Sequence, residues 1–364
     1  MTVVAWVLIC LLAVRAAVAL ANVGYRRGLP DTAARRHPFI SVLIPARNEE
    51  QTLPGLLADL SAQTYDRFEV LVWDDHSTDG TRALVEDFGQ GDARFRVDGG
   101  ELPPGWLGKV YACHSLGLRG RGELLVFVDA DVRLGPQALA RTAARFDQSG
   151  LALLSLFPRQ VRLTPGEEAV VPVMTWTLLS LLPLALVRLF RSSALAAANG
   201  QFMAFDGSIY RRLEPHARFK SHPAEDIGLA RFYKAEGLAV EVRLAADEVS
   251  CRMYEGAASA LQGFTRNVVN WTGGSSTLLF VFAASLVATP LVLGVAWGWL
   301  GMAAWLGMGL VLEMAVGAAV GDPWARSLVW APSRTVVFLV LAVRALAVRW
   351  TGGTVNWKGR QVAP

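Results

Sequence analysis

Five apolar residues in a row, Leu124 to Val128, run straight into Asp129-Ala130-Asp131. A short unbroken run of β-forming residues reads as a strand buried on both faces. The pattern recurs upstream. Phe39 to Ile44 is closed by Pro45, and Phe68 to Trp73 ends in Asp74-Asp75-His76-Ser77-Thr78-Asp79-Gly80-Thr81. Helices are expected from Ala46 to about Gln63, from the Thr81 turn to about Phe88, and from Ala112 to Leu118, with a short strand near Phe95 to Val97. Strands alternating with helices, each strand ending in a polar loop, predict an α/β domain built on a doubly wound, Rossmann-like sheet. Such sheets bind ligands in the crevice outside the C-terminal ends of their strands.

Long apolar stretches flank this domain. Thr2 to Val23 is interrupted only by Arg15 and Asn22, long enough for a spanning helix. Arg26, Arg27, Arg35 and Arg36 follow it and place the downstream side in the cytoplasm by the positive-inside rule. Val170 to Phe190 is apolar but broken by Pro172, Pro183 and Arg188. A single span there would put Glu225-Asp226 and Asp129-Asp131 on opposite sides of the bilayer. The stretch is therefore expected to lie in the membrane interface or to double back. Thr277 to Trp297 and Trp299 to Val320 predict a hairpin of two spans, with Trp297, Trp299 and Trp305 in an interfacial belt. Ala331 to Trp350 carries Arg334, Arg344 and Arg349, and only nine residues separate the first two. A span needs roughly 20 apolar residues, so a re-entrant or surface helix is expected, which leaves the tail cytosolic. The resulting division is a transmembrane helix (1–24), a cytosolic catalytic domain (37–274) with interfacial helices near 165–195, a membrane region (275–350) and a tail (351–364).

Composition agrees. The 364 residues are 53% hydrophobic and 18% charged, with mean hydropathy +0.35. The net charge of +4 comes from arginines and lysines that are scattered or sit beside apolar stretches. They suit a membrane surface and no nucleic acid. Cys10, Cys113 and Cys251 are far apart, which excludes a disulfide framework and a zinc site.

Two carboxylates at a strand end, Asp129 and Asp131, need a partner charge. A divalent cation that brings phosphate oxygens is one solution, since magnesium-type ions bind through one or two carboxylates plus phosphates. Capping of the next turn is the other. Glu225-Asp226, opening a helix, either answer the helix dipole or place a base. Lys109 is a point charge for phosphate or a solvated lysine at a helix start.

Three linked motifs narrow these choices: Ser41-Val42-Leu43-Ile44-Pro45-Ala46-Arg47-Asn48-Glu49-Glu50, then Val72 to Thr81, then Asp129-Ala130-Asp131. In order, spacing and flanking strands they resemble family 2 glycosyltransferases of the GT-A fold, whose sheet is mixed. The resemblance implies that Asp75 accepts from a uracil beside the loop of Pro45, Arg47 and Glu49. It implies that Asp129 and Asp131 hold ribose, Mg²⁺ or Mn²⁺, and diphosphate, and that Lys109 reaches the nucleotide. It implies that Asp226 is the base of an inverting transfer, supported by Glu225, and that Asn199 to Phe205 shape the acceptor side. His76 stands where the family often has Gly or Asn and receives no role. Gln262-Gly263-Phe264-Thr265-Arg266-Asn267 departs from the Gln-x-x-Arg-Trp of processive synthases. With the Trp357-Lys358-Gly359-Arg360 tail it resembles a membrane-bound, lipid-modifying branch that includes carotenoid, hopanoid-associated and ceramide-type glucosyltransferases. There Arg266 would stabilise the leaving diphosphate.

The expected function is transfer of a hexose from a nucleoside diphosphate sugar, UDP-glucose first, to a membrane lipid such as a carotenoid, at the cell membrane with the catalytic domain facing the cytoplasm. The alternatives are a polyprenyl-phosphate sugar synthase and a non-catalytic nucleotide-binding membrane subunit.

Overall fold

The structure, a computed structural model, describes residues 1–25, 28–29, 31, 34–222, 224–245, 247–351, 355–357 and 360–362. Arg26 and Arg27 of the positive-inside cluster, and Lys358 and Gly359 of the tail, lie outside the described residues. The chain divides into two compact units. One comprises Arg26–Arg159 and Ala185–Arg252; the other comprises Met1–Tyr25, Gln160–Leu184 and Met253–Pro364. Elements are labelled in chain order.

The first unit is built on a seven-stranded sheet. Its strands and helices begin with β1 (Ile40–Ala46), α2 (Leu53–Ser61), β2 (Phe68–Asp74), α3 (Thr81–Gly91), β3 (Phe95–Gly99) and α4 (Gly108–Arg119). They continue through β4 (Leu124–Val128), β5 (Val132–Leu134), α5 (Ala138–Ser149), β6 (Leu153–Phe157) and β7 (Arg159–Gln160). After α8 (Leu184–Leu189) come β8 (Phe202–Asp206), α9 (Gly207–Leu213), α10 (Pro215–Arg218), α11 (Glu225–Ala235), β9 (Val240–Leu244) and β10 (Val249–Cys251). The sheet order is β3-β2-β1-β4-β8-β6-β9. Strands β1 to β4 are parallel, as alternation with helices requires. β8 is antiparallel to both β4 and β6, so the sheet is mixed. Its register places Phe202 opposite Val128, which brings the turn before β8 beside Asp129.

The apolar runs read as buried strands are buried. Ile40, Val42, Leu43, Ile44, Leu125 and Val126 have no exposed surface. One charge enters this core region. Glu69 on β2 is buried, and it accepts from Ser41 Oγ (2.7 Å), the Arg121 amide (3.0 Å) and the guanidinium groups of Arg96 and Arg121. Burial alone would raise its pKa, but the hydrogen bonds from Arg121 and Ser41 outweigh it and hold the carboxyl below the ordinary range. Behind β4, Phe127 packs against Phe205, Tyr210 and His216 at ring-centre distances of 5.5, 5.4 and 5.1 Å. His216 accepts or donates through Nδ1 to the Tyr210 hydroxyl at 2.7 Å, and burial drives its pKa down to about 3, so it is a neutral core group.

The expected helix after Ala46 starts only at Leu53, because residues 47–52 lock onto the loop after β2 instead. Asn48 takes a left-handed φ of 54°, and its side chain accepts from the Thr78 amide (2.8 Å). The Glu49 amide donates to Thr81 Oγ1 (2.8 Å) and the Gly80 amide to the Glu50 carboxylate (3.0 Å).

The second unit holds α1 (Thr2–Gly24), α6 (Pro165–Val170), α7 (Val173–Leu181), α12 (Gly256–Trp271), α13 (Ser276–Val320) and α14 (Trp324–Trp350). Among the described residues, α1, α13 and α14 are long and apolar enough to cross a membrane. The two polar interruptions of α1 are satisfied by the 173–184 segment. Arg15 donates to Ser180 Oγ (3.1 Å) and lies over the Trp176 and Phe282 rings, while Asn22 bonds the Leu179 and Leu182 carbonyls and the Leu184 amide. Val170 to Phe190 is cut at its prolines into short helices, none long enough to span. α13 is broken at Gly298 (φ 58°, ψ −137°), between the two apolar stretches expected to form a hairpin.

The stretch expected to form a re-entrant or surface helix lies within α14. This helix begins seven residues earlier than the apolar stretch and runs for 27 residues, about 40 Å at ~1.5 Å per residue. Arg334 is buried. It bonds the Glu168 carbonyl (2.8 Å) and lies 4.0 Å from Glu313 of α13. A charge paired inside the protein does not count against the apolar length that faces lipid.

Phe127→Ala opens a cavity among the Phe205, Tyr210 and His216 rings and is expected to cost about 3–5 kcal/mol. Thermal unfolding of the detergent-solubilised protein checks this; an unchanged Tm would contradict the packing described.

Candidate active site

The parallel strands β1, β2 and β4 all end at one edge of the sheet, and their loops carry most of the residues singled out in the sequence. At the ends of β1 and β2, Pro45 pairs in register with Trp73 and Ala46 with Asp74. Asp75 follows, buried, with its amide donating to the Ala46 carbonyl (2.8 Å). Arg47 Nη1 donates to the Asp75 carbonyl (2.9 Å) and lies 3.7 Å from its Oδ2. Arg47 thus anchors Asp75 in this structure. Glu49 accepts from Thr52 Oγ1 (2.5 Å) within the interlocked loops. His76 has φ 59°, a left-handed conformation that Gly and Asn adopt at less cost. That accounts for the turn, and its Nδ1 stands 3.4 Å from Asp75 Oδ1.

At the end of β4, Lys109 from the first turn of α4 grips Asp129. Its Nζ lies 2.7 Å from Oδ1 and 2.8 Å from Oδ2. The Lys109 side chain is 44% exposed and that of Asp129 24%. Burial disfavours the ammonium, but Asp129 and then Glu225 outweigh it, and the Lys109 pKa stands above the ordinary lysine value. The Asp129 amide donates to the Gln201 carbonyl (3.1 Å), a bond that follows from the antiparallel β8.

Glu225 and Asp226 open α11, half-buried. Asp226 Oδ2 accepts from the Gly200 amide (3.1 Å) and Oδ1 from the Ile227 amide (2.8 Å). Burial raises both carboxyls above the ordinary range, and Lys109 opposes the shift in each. Asp226 adds like charge to Glu225, and the two amides restrain the rise at Asp226. A base with a raised pKa suits proton abstraction near neutral pH.

Lys109, Asp129, Glu225 and Asp226 are therefore brought into one electrostatic cluster, with Asp131 half-buried two residues on. Asp129 and Asp131 supply hard oxygen donors, which fit a Mg²⁺ or Mn²⁺ type ion. Among the described residues no group of three or more His, Cys, Asp or Glu could hold an ion unaided. Arg266 lies on α12, in the second unit. Sequence reasoning missed the Gly200 amide as a partner of Asp226, because a backbone donor leaves no side-chain signal.

Residues 41–208 match the family described as Glycosyl transferase family 2. The 4,4'-diaponeurosporenoate glycosyltransferase of Staphylococcus haemolyticus is 32% identical over 251 residues, 65% of this chain and 62% of the relative. The chain thus matches a little under two thirds of that relative's length. The protein of the same name from Staphylococcus aureus strain MRSA252 is 25% identical over 341 residues, covering 89% of this chain and 88% of the relative. Among solved structures, a mannosyltransferase from Pyrobaculum calidifontis in complex with GDP-Man and Mn²⁺ superimposes with a TM-score of 0.57 at 18% identity, covering 93% of this chain and 99% of that one. The mixed sheet of that GT-A type and the family match mark residues 41–208 as a glycosyl transferase family 2 domain.

Proposed function

We propose that this enzyme moves one hexose from a nucleoside diphosphate sugar, UDP-glucose first, to a hydroxyl or carboxyl of a membrane lipid, with a carotenoid-type isoprenoid as the leading acceptor. The observation that carries the reading is the cluster at the end of β4, where the Lys109 ammonium meets the carboxylates of Asp129, Glu225 and Asp226. The acceptor class is supported by the names of the curated relatives, both diaponeurosporenoate glycosyltransferases. The long apolar helices support a lipid substrate and a multi-pass membrane location, and the arginines that follow the first of them support a cytoplasmic catalytic domain.

In this reading Asp75 accepts from the imide N–H of the base, in the loop formed with Pro45, Arg47 and Glu49. Asp129 and Asp131 would hold Mg²⁺ or Mn²⁺, which neutralises diphosphate charge when bound. The acceptor oxygen attacks the anomeric carbon as its bond to the diphosphate oxygen breaks, and the configuration inverts. Asp226 takes the proton of an acceptor hydroxyl, and Glu225 supports it. The electron pair leaves with the diphosphate, where Lys109 supplies positive charge and Arg266 is proposed to add to it. An acceptor carboxylate is already ionised and needs no base.

Labelled UDP-glucose incubated with membranes and a lipid extract tests the reaction. Organic-soluble label that requires Mg²⁺ or Mn²⁺ is expected. With a hydroxyl acceptor, Asp226→Asn should lower the rate by about 10²–10⁴-fold, the usual contribution of a positioned base; with a carboxylate acceptor the loss should be far smaller. No transfer from any nucleotide sugar, with nucleotide still bound, would favour the non-catalytic reading. Because only ionised Asp226 can accept a proton and burial raises its pKa, transfer to a hydroxyl should fall as pH drops, with a midpoint above the ordinary value of about 4. A kcat profile flat down to pH 4 would contradict this.

A further inference from the structure

The turn Asn199-Gly200-Gln201 touches both halves of the cluster, and one hydroxyl holds that turn. Ser155 sits in the middle of β6 with no exposed surface, opposite Met203 on β8 and Val242 on β9. Its Oγ accepts from the Asn199 amide (2.8 Å) and donates to the Asn199 carbonyl (3.1 Å). A single side chain thus satisfies both main-chain groups of one buried residue. Asn199 then folds its own Oδ1 onto the Gln201 amide (2.9 Å). From the turn so fixed, the Gly200 amide reaches Asp226 Oδ2 (3.1 Å) and the Gln201 carbonyl takes the Asp129 amide (3.1 Å). A Cβ on Gly200 would stand 3.6 Å from Asp226 Cβ and 3.7 Å from Lys109 Nζ, so the turn lies between the base and the cation.

The approach to the turn is tied to the helix that carries Asp226. Lys234 of α11 is buried, and its Nζ donates to the Val187 and Leu195 carbonyls, both at 2.7 Å. The turn is therefore held to the sheet through Asn199, and the segment before it to α11 through Lys234. Ser155 interrupts an otherwise apolar strand, Leu153 to Phe157. An alanine there would leave the Asn199 amide and carbonyl to find other partners in a buried setting, which backbone groups rarely tolerate.

We propose that Ser155 is a positioning residue for sugar transfer: through the Asn199–Gln201 turn it fixes Asp226 against Lys109 and Asp129, and so governs turnover more than donor affinity. The inference rests on the reading of Asp226 given above.

The test compares Ser155→Ala, Ser155→Cys and Thr142→Ala with the wild-type chain in the same membranes. Thr142 on α5 is a buried hydroxyl bonded within its own helix to the Ala138 carbonyl (2.8 Å), remote from the turn. With a hydroxyl acceptor, Ser155→Ala is expected to lower kcat by about 10–100-fold, in line with small misplacements of catalytic groups, with donor KM within about twofold. Ser155→Cys keeps a weak S–H donor of similar size and should fall between, which covers the case where the alanine variant does not fold. Thr142→Ala should match the wild type. Amide hydrogen exchange at Gly200 should quicken by at least about tenfold in the Ser155 variants alone, since a freed amide loses its protection. Unchanged exchange at Gly200 overturns the proposal, as does, with a hydroxyl acceptor, a kcat within twofold of wild type or a donor KM that rises as kcat falls. If wild-type membranes transfer no sugar, the proposed function fails, and exchange at Gly200 still decides whether Ser155 holds the turn.

Discussion

One ammonium among three carboxylates is the constraint on which the candidate site depends. Lys109 binds both oxygens of Asp129 and acts on Glu225 and Asp226 as well. Burial pushes the Glu225 and Asp226 carboxyls up, and Lys109 opposes that rise in both. In the proposed reading the same cluster takes a divalent ion with its diphosphate, and Asp226 receives a proton. Sheet topology makes this possible: the parallel strands end at one edge, and antiparallel β8 returns its preceding turn to the same edge.

The fold was legible wherever side-chain type decides local structure. The buried strands at Ile40–Ala46, Phe68–Asp74 and Leu124–Val128 follow from unbroken apolar runs. Strand-end carboxylates and the acidic start of α11 are visible for the same reason: each costs too much to bury without a purpose. The delayed start of α2 was not visible, because it depends on a left-handed Asn48 and on bonds to a loop some 30 residues away. Ser155 carried no signal either. A serine in an apolar strand reads as a small core residue, and its importance comes from the Asn199 main chain that tertiary folding brings to it.

The membrane-facing helices teach a similar lesson about charge. Only nine residues separate Arg334 from Arg344, and a hydropathy count treats each arginine as a cost to be met by water. In the folded unit Arg334 finds Glu313 and the Glu168 carbonyl, and Arg15 finds Ser180 and two aromatic faces. Such residues mark where helices meet each other, and sequence alone does not say which helix is the partner.

The account's central claim is that the cluster at the end of β4 binds a nucleoside diphosphate through its carboxylates and a divalent cation. Calorimetric titration of UDP, and of GDP for comparison, into the solubilised protein tests this directly, with and without Mn²⁺. Binding that strengthens with Mn²⁺ and loses that dependence in Asp129→Asn is the predicted result. Nucleotide binding indifferent to both the ion and Asp129 would contradict the account.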